Sequence, residues 1–94
     1  MIDDVAPQAA DFISSRREAV ARTAAQELRQ ASMTELPALT HRLAGKLGVF
    51  GYESAGDAAR RLMLDLQDGV DESQVPGRVA DIVALLDADL REVS

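Results

Sequence analysis

Cysteine and tryptophan are absent from this 94-residue chain, the aromatic residues are one tyrosine and two phenylalanines, and there is a single histidine. Without cysteine neither a disulfide nor a thiolate-held metal is available, and one imidazole cannot by itself define a zinc site or a haem attachment. Positive charge is scarce as well. Ten Lys and Arg stand against sixteen Asp and Glu, a net charge of −6 and a pI near 4.6. Nucleic-acid binders show the opposite balance, so no nucleic-acid partner is expected. No stretch approaches the roughly 18 apolar residues of a membrane span. The opening MIDDVAPQ is acidic and lacks the basic and then apolar regions of a signal peptide. These absences lead to the expectation of a soluble cytoplasmic protein with no membrane partner. A Walker lysine, a glycine-rich nucleotide fingerprint and any spacing suited to a catalytic triad are missing too.

What the chain does have is alanine, leucine, valine and charged residues, the composition of helices. Residues 1–94 are read as one domain, which at this size folds with little stability to spare. Four helices are expected, over about 7–31, 35–50, 54–68 and 72–93. In the first, Pro7 suits an early helical position, and Ile13, Val20, Ala24 and Ala31 mark a loose apolar face with Phe12 at its edge. Arg16, Arg17 and Arg22 on that helix read as surface charges. The second helix takes Thr34 as N-cap and Pro37 in its first turn. The third has Ser54 as a capping hydroxyl with Asp57 three residues on, and Ala55, Ala58, Ala59, Leu62 and Leu66 along one side. It ends at the turn signal Asp68-Gly69. The fourth carries Pro76 near its start, and Val75, Val79, Ile82, Val83, Leu86 and Leu90 at helical spacing. Four amphipathic helices joined by short loops predict an all-α, antiparallel up-down-up-down four-helix bundle.

The stretch HRLAGKLGVFG, residues 41–51, holds the lone histidine and three of the six glycines. A glycine inside a helix costs about 1 kcal/mol relative to alanine, so three of them need a reason. At about 100° per residue, Leu36, Leu39, Leu43, Leu47 and Phe50 fall within a band about 80° wide that must face the core. His41 lies roughly 150° from its centre, on the solvent side. Its neighbours one and two turns away are Pro37, Ala38, Ala44, Gly45 and Gly48, all small or compact. That pattern leaves room for another surface to reach the ring. Gly51 follows the last core residue and is expected to end the helix. Two plainer readings stand beside this one: a surface histidine without a role, and glycines that let helices pack closely or let two copies associate.

Neutral imidazole is a nucleophile near neutral pH, and histidine serves in covalent catalysis. On the third helix Glu53 and Asp57 are the carboxylates that could approach it. Since no other catalytic group competes, the chemistry that fits is accepting a group from a docked partner and passing it on.

Thr40-His41-Arg42-Leu43-Ala44-Gly45, with Gly51 ten residues after the histidine and Ala58-Ala59-Arg60-Arg61-Leu62 beyond it, resembles the histidine-containing phosphotransfer (HPt) domain family. The motif covers about thirty residues, and the four-helix pattern extends the likeness over most of the chain. The resemblance implies a phosphoryl carrier without kinase activity of its own. His41 would exchange a phosphoryl group through Nε2 with the aspartate of a response-regulator receiver domain, or with a hybrid histidine kinase, in a two-component phosphorelay. No bound cofactor is implied, because the receiver would bring the Mg²⁺ that offsets phosphate charge. Gly45 matches the family's glycine and, with Gly48, supplies clearance. The lysine that many members carry three residues after the histidine is Ala44 here. Lys46 and Arg42 sit at roughly 140° and 100° around the helix from His41, which makes Arg60 and Arg61 the expected phosphate contacts. Ala38, Arg42, Val49 and Leu64 are the expected partner-docking residues, and a monomer is expected. Met1 and a full set of helices read as a free-standing domain. The alternative is a helical adaptor, a degenerate phosphotransfer domain that docks a receiver without chemistry.

Overall fold

Helix formers run almost without interruption through this chain, and helix fills those runs. The computed structural model describes the backbone of residues 2–93 and the side chains of residues 15–91. In it α1 spans Ile2–Gln30, α2 Leu36–Val49, α3 Glu53–Asp68 and α4 Val75–Val93, with a 3₁₀ turn over Glu72–Gln74. No strand occurs among the described residues. The helices match expectation to within a few residues at their ends, except that α1 begins at Ile2, ahead of Pro7. Phe12 and Ile13 lie outside the described side chains.

Helix starts depart from the sequence reading in an instructive way. Thr34 does not cap α2. Ser32 and Glu35 do so reciprocally: the Ser32 N–H donates to Glu35 Oε1 at 2.9 Å, and the Glu35 N–H donates to Ser32 Oγ at 3.3 Å. The Leu36 N–H then donates to the Ser32 carbonyl at 3.1 Å, the first helical bond. This is the S-x-x-E capping box, set two residues earlier than a simple search for the last hydroxyl before the apolar run would place it. Ser54 does not cap α3 either; that helix opens after Tyr52 with no side-chain cap. Ahead of α4, Asp71 accepts from the Ser73 N–H at 3.0 Å and starts the 3₁₀ turn.

Helix ends are glycine-led, as expected. Gly51 takes φ +87°, the Gly51 N–H donates to Gly48 O at 3.1 Å, and the Tyr52 N–H reaches back to Leu47 O at 2.8 Å. Gly69 repeats the pattern with φ +88°, and Val70 donates to Asp65 O at 2.9 Å. Both are Schellman motifs, in which a residue that tolerates the left-handed region turns the chain out of the helix and satisfies its last carbonyls.

The core draws on every helix. Ala21, Ala24 and Leu28 of α1 meet Leu43 and Leu47 of α2, Ala55, Ala59 and Leu62 of α3, and Val75, Ile82 and Leu86 of α4. Truncating one of these leucines to alanine costs about 2–5 kcal/mol by lost transfer energy and a residual cavity. Phe50, Ala58, Leu66, Val79 and Leu90, expected in the core, are partly buried at its margin. Two polar-tipped residues are fully inside. Thr40 gives its hydroxyl to the Leu36 and Pro37 carbonyls, and Tyr52 gives its own to the Arg17 carbonyl at 2.9 Å. No buried side-chain N or O atom lacks a partner among the described residues.

Arg17 corrects its reading as a mere surface charge. Its Nε donates to the Phe50 carbonyl at 2.8 Å, and its guanidinium lies 5.0 Å from the centroid of the Tyr52 ring. It ties α1 to the turn between α2 and α3. Further out, Arg42 pairs with Glu27, Arg29 with Asp87 at 3.2 Å, and Arg78 with Asp65 at 2.7 Å. Such exposed pairs contribute about 1 kcal/mol or less each, but they record which residues of neighbouring helices stand side by side.

Candidate functional site

The site is built on α2 and faced by α3. Leu39, Leu43 and Leu47 turn one side of α2 into the core, and the helical period then carries His41 to the surface, where it is exposed. Pro37 and the buried Thr40, whose hydroxyl bonds back to the preceding turn, hold the helix start beneath it.

Beside the ring the surface is open. A Cβ placed on Gly45 would meet nothing within 4 Å, and the same holds for Gly48. These two glycines make no close interhelical approach through their own missing side chains. The close approach belongs to Gly56 of α3, which the sequence reading did not single out. A Cβ there would lie 3.3 Å from the Gly48 nitrogen, 3.4 Å from the Ala44 carbonyl oxygen and 3.6 Å from Leu47 Cβ. The absence of a side chain at Gly56 lets the backbone of α3 nest against α2 just behind the open shelf.

One helical turn pair further along α3, seven residues after Gly56, Met63 comes up to the histidine. Its Sδ stands 3.2 Å from His41 Nδ1. The carboxylates Glu53 and Asp57 do not fill that place. Nε2, the other ring nitrogen, has no hydrogen-bond partner among the described residues. The sequence reading did not single out Met63 either; the available signal is the spacing Gly56, Arg60, Met63, which lies on one side of α3.

The other expected site residues divide. Ala44 is partly buried against α3, so the position three residues after His41 points toward the helix pair as well as outward. Arg60 is exposed and sits one turn before Met63 on the same side of α3. Arg61 faces elsewhere: with Ala58 it borders a shallow groove against Arg78, Asp81, Ile82 and Leu85 of α4. The structure does not bring it beside His41, because one residue on a helix turns the side chain by about 100° from Arg60. Arg42 is engaged with Glu27 of α1. Ala38 is exposed at the rim of a groove between α1 and α2, with Glu27, Gln30 and Leu39. Val49 is 82% exposed and Leu64 46%, the largest exposures among the big apolar side chains of α2 and α3.

Among the described residues no three His, Cys, Asp or Glu side chains gather as a metal site requires, and no helix is long and apolar enough to cross a membrane. No family model matches the chain, and neither a curated protein nor a solved structure matches it.

Proposed function

We infer that this protein is a phosphoryl carrier of the HPt kind, working on His41 in a two-component phosphorelay. The observation that carries the reading is a single exposed imidazole on a helix shelf cleared by Gly45 and Gly48, with one ring nitrogen occupied by Met63 and Nε2 left for chemistry. The residue pairings support the finer fold as well. Glu27 stands by Arg42 and Arg17 by Phe50, Gly56 stands by Gly48 and Met63 by His41, and Asp65 stands by Arg78. For α1 with α2 and for α2 with α3 the paired numbers run in opposite directions, and the one pairing of α3 with α4 joins the end of the first to the start of the second, which fits an antiparallel up-down-up-down bundle.

In the transfer, a receiver domain sets its aspartyl phosphate over the shelf. The Nε2 lone pair forms the N–P bond while the bond from phosphorus to the carboxylate oxygen breaks, and that electron pair leaves with the carboxylate. In the reverse direction the same steps return the group. There is little covalent work for the protein beyond positioning and charge compensation. The Mg²⁺ that offsets the phosphate charge comes with the receiver. Arg60, one turn from Met63, is the cation of α3 best placed to add to it. Val49 and Leu64 are the exposed apolar side chains of these two helices that a docked receiver is expected to cover, with Ala38 beside them on the docking surface. The carrier is a cytoplasmic monomer in this reading and has no kinase activity.

The test is direct. The purified protein is incubated with a set of phosphorylated receiver domains and assayed for acid-labile, base-stable phosphate. Label on the wild type that is lost in His41→Ala supports the carrier. Binding of a receiver with no label supports the adaptor, a reading kept in view by Ala44 in place of a lysine.

A further inference from the structure

Sulfur in a thioether carries no hydrogen, so in the contact between Met63 and His41 it can only accept. At 3.2 Å a lone pair on Nδ1 facing the lone pairs of Sδ would be repulsive, and an N–H pointed at the sulfur is attractive. The proton of the neutral ring therefore belongs on Nδ1. Which nitrogen of a histidine holds the proton is set by the partner of one of them. We propose that Met63 is a positioning residue that fixes His41 in the Nδ1–H tautomer and so presents Nε2 as an unprotonated nucleophile at the open shelf. The proposal rests on the carrier reading for its purpose.

Imidazole free in water favours the other tautomer, with the proton on Nε2, and that form has no lone pair on the outward nitrogen. A histidine held as the Nδ1–H form needs no prior proton shift before it attacks phosphorus. Attack by Nε2 turns the ring into a cation that still holds its Nδ1 proton, and the positive charge strengthens the N–H donor facing Met63. The sulfur thus interacts better with the transferring ring than with the resting one, the condition for an interaction to speed a step. Met63 sits in place to do this because Gly56, two turns earlier on α3, draws that helix onto α2. The same contact also limits rotation of an exposed ring about its χ angles.

The experiment is ¹⁵N NMR of the imidazole in the full-length, unphosphorylated protein at a pH where the ring is neutral; with one histidine the spectrum has a single assignment. In wild type the Nδ1–H form is expected to predominate. Met63→Leu keeps the apolar bulk and removes the acceptor, and the ratio of Nδ1–H to Nε2–H should fall by about two- to tenfold, the range of one modest hydrogen bond. A wild-type ring mainly in the Nε2–H form, or a ratio unchanged by leucine, would each overturn the assignment. A second readout is the rate at which phosphoramidate, a small-molecule donor, labels His41, which should follow the tautomer ratio in the two proteins. The NMR result does not depend on any phosphotransfer, so an Nδ1–H ring that Met63→Leu releases, with no label anywhere, would count against the carrier reading and leave the role of Met63 standing.

Discussion

Tyr52 and Arg17 hold each other twice over: the tyrosine hydroxyl donates to the Arg17 carbonyl at 2.9 Å, and the Arg17 guanidinium lies over the tyrosine ring at 5.0 Å. Through this pair α1 is fastened to the turn that joins the two helices of the site. Burial pushes the Tyr52 hydroxyl above its ordinary pKa, against the opposing pull of Arg17. A group raised in the folded state contributes stability that is present below its unfolded pKa of about 10 and is lost as pH rises through the folded value.

Tyr52→Phe is accordingly expected to lower stability at pH 7 by about 1 kcal/mol, the worth of one hydrogen bond to a partly buried acceptor. Above pH 10 the wild type should lose stability more steeply than the variant, so the two melting curves converge. Thermal melts between pH 7 and 11 read this, and absorbance near 295 nm follows the only tyrosine directly. Parallel pH profiles in the two proteins would contradict it.

Gly51 and Gly69 share a positive φ, +87° and +88°, but not their surroundings. Gly69→Ala should cost about 1–2 kcal/mol from backbone strain alone, because a Cβ there has open space. Gly51→Ala should cost more, since the new carbon would also crowd the Arg17 guanidinium at 3.2 Å. Urea unfolding of both variants ranks them, and equal losses would show that Arg17 simply swings aside.

Glycine in α2 and in α3 should respond oppositely to alanine. At Gly45 the methyl meets nothing, and helix propensity alone favours the change by up to about 1 kcal/mol. At Gly56 it meets the backbone of Gly48 and Ala44 and forces α2 and α3 apart, which is destabilising. If the shelf docks a receiver, the more stable Gly45→Ala protein should transfer phosphate about ten- to a hundredfold more slowly. Stopped-flow transfer rates set beside urea melts decide it. A Gly45→Ala protein that gains stability and keeps its full rate would remove clearance as the purpose of this glycine.

Ser32 and Glu35 predict an acid-dependent cap. Backbone and side-chain hydrogen bonds from Ser32 hold the Glu35 carboxyl below its ordinary pKa. Its contribution is present above the unfolded value and fades as pH falls through the folded one. Glu35→Gln should lower the melting temperature at pH 7, and the gap to wild type should shrink by pH 3, where the wild-type carboxyl is protonated as well. Melts at the two pH values check it. Thr34→Ala, by contrast, should leave the melting temperature nearly unchanged.

The sequence was most legible where a periodic pattern and a local signal agree. Leucines at 39, 43 and 47 predict the buried side of α2, and the burial of all three follows; His41 then has to be exposed. Gly51 and Gly69 announce helix ends because few other residues tolerate the backbone conformation those ends require. Capping was less legible. Ser32, Thr34 and Ser54 all carry a suitable hydroxyl, and the choice among them depends on where the chain enters the bundle.

By itself the sequence determined four helices, their approximate ends, the inner faces of α2 and α4, and an exposed imidazole among small residues. These follow from period, propensity and the special conformations of glycine and proline, which act over a few residues. Only the tertiary structure decided what stands against that imidazole and what locks the site's turn. Met63 lies 22 residues from His41 and Arg17 lies 35 from Tyr52. Those meetings depend on how far one helix slides and rotates against another. Gly56 decides it for α2 and α3, since the missing side chain permits an approach that no local pattern in α2 encodes.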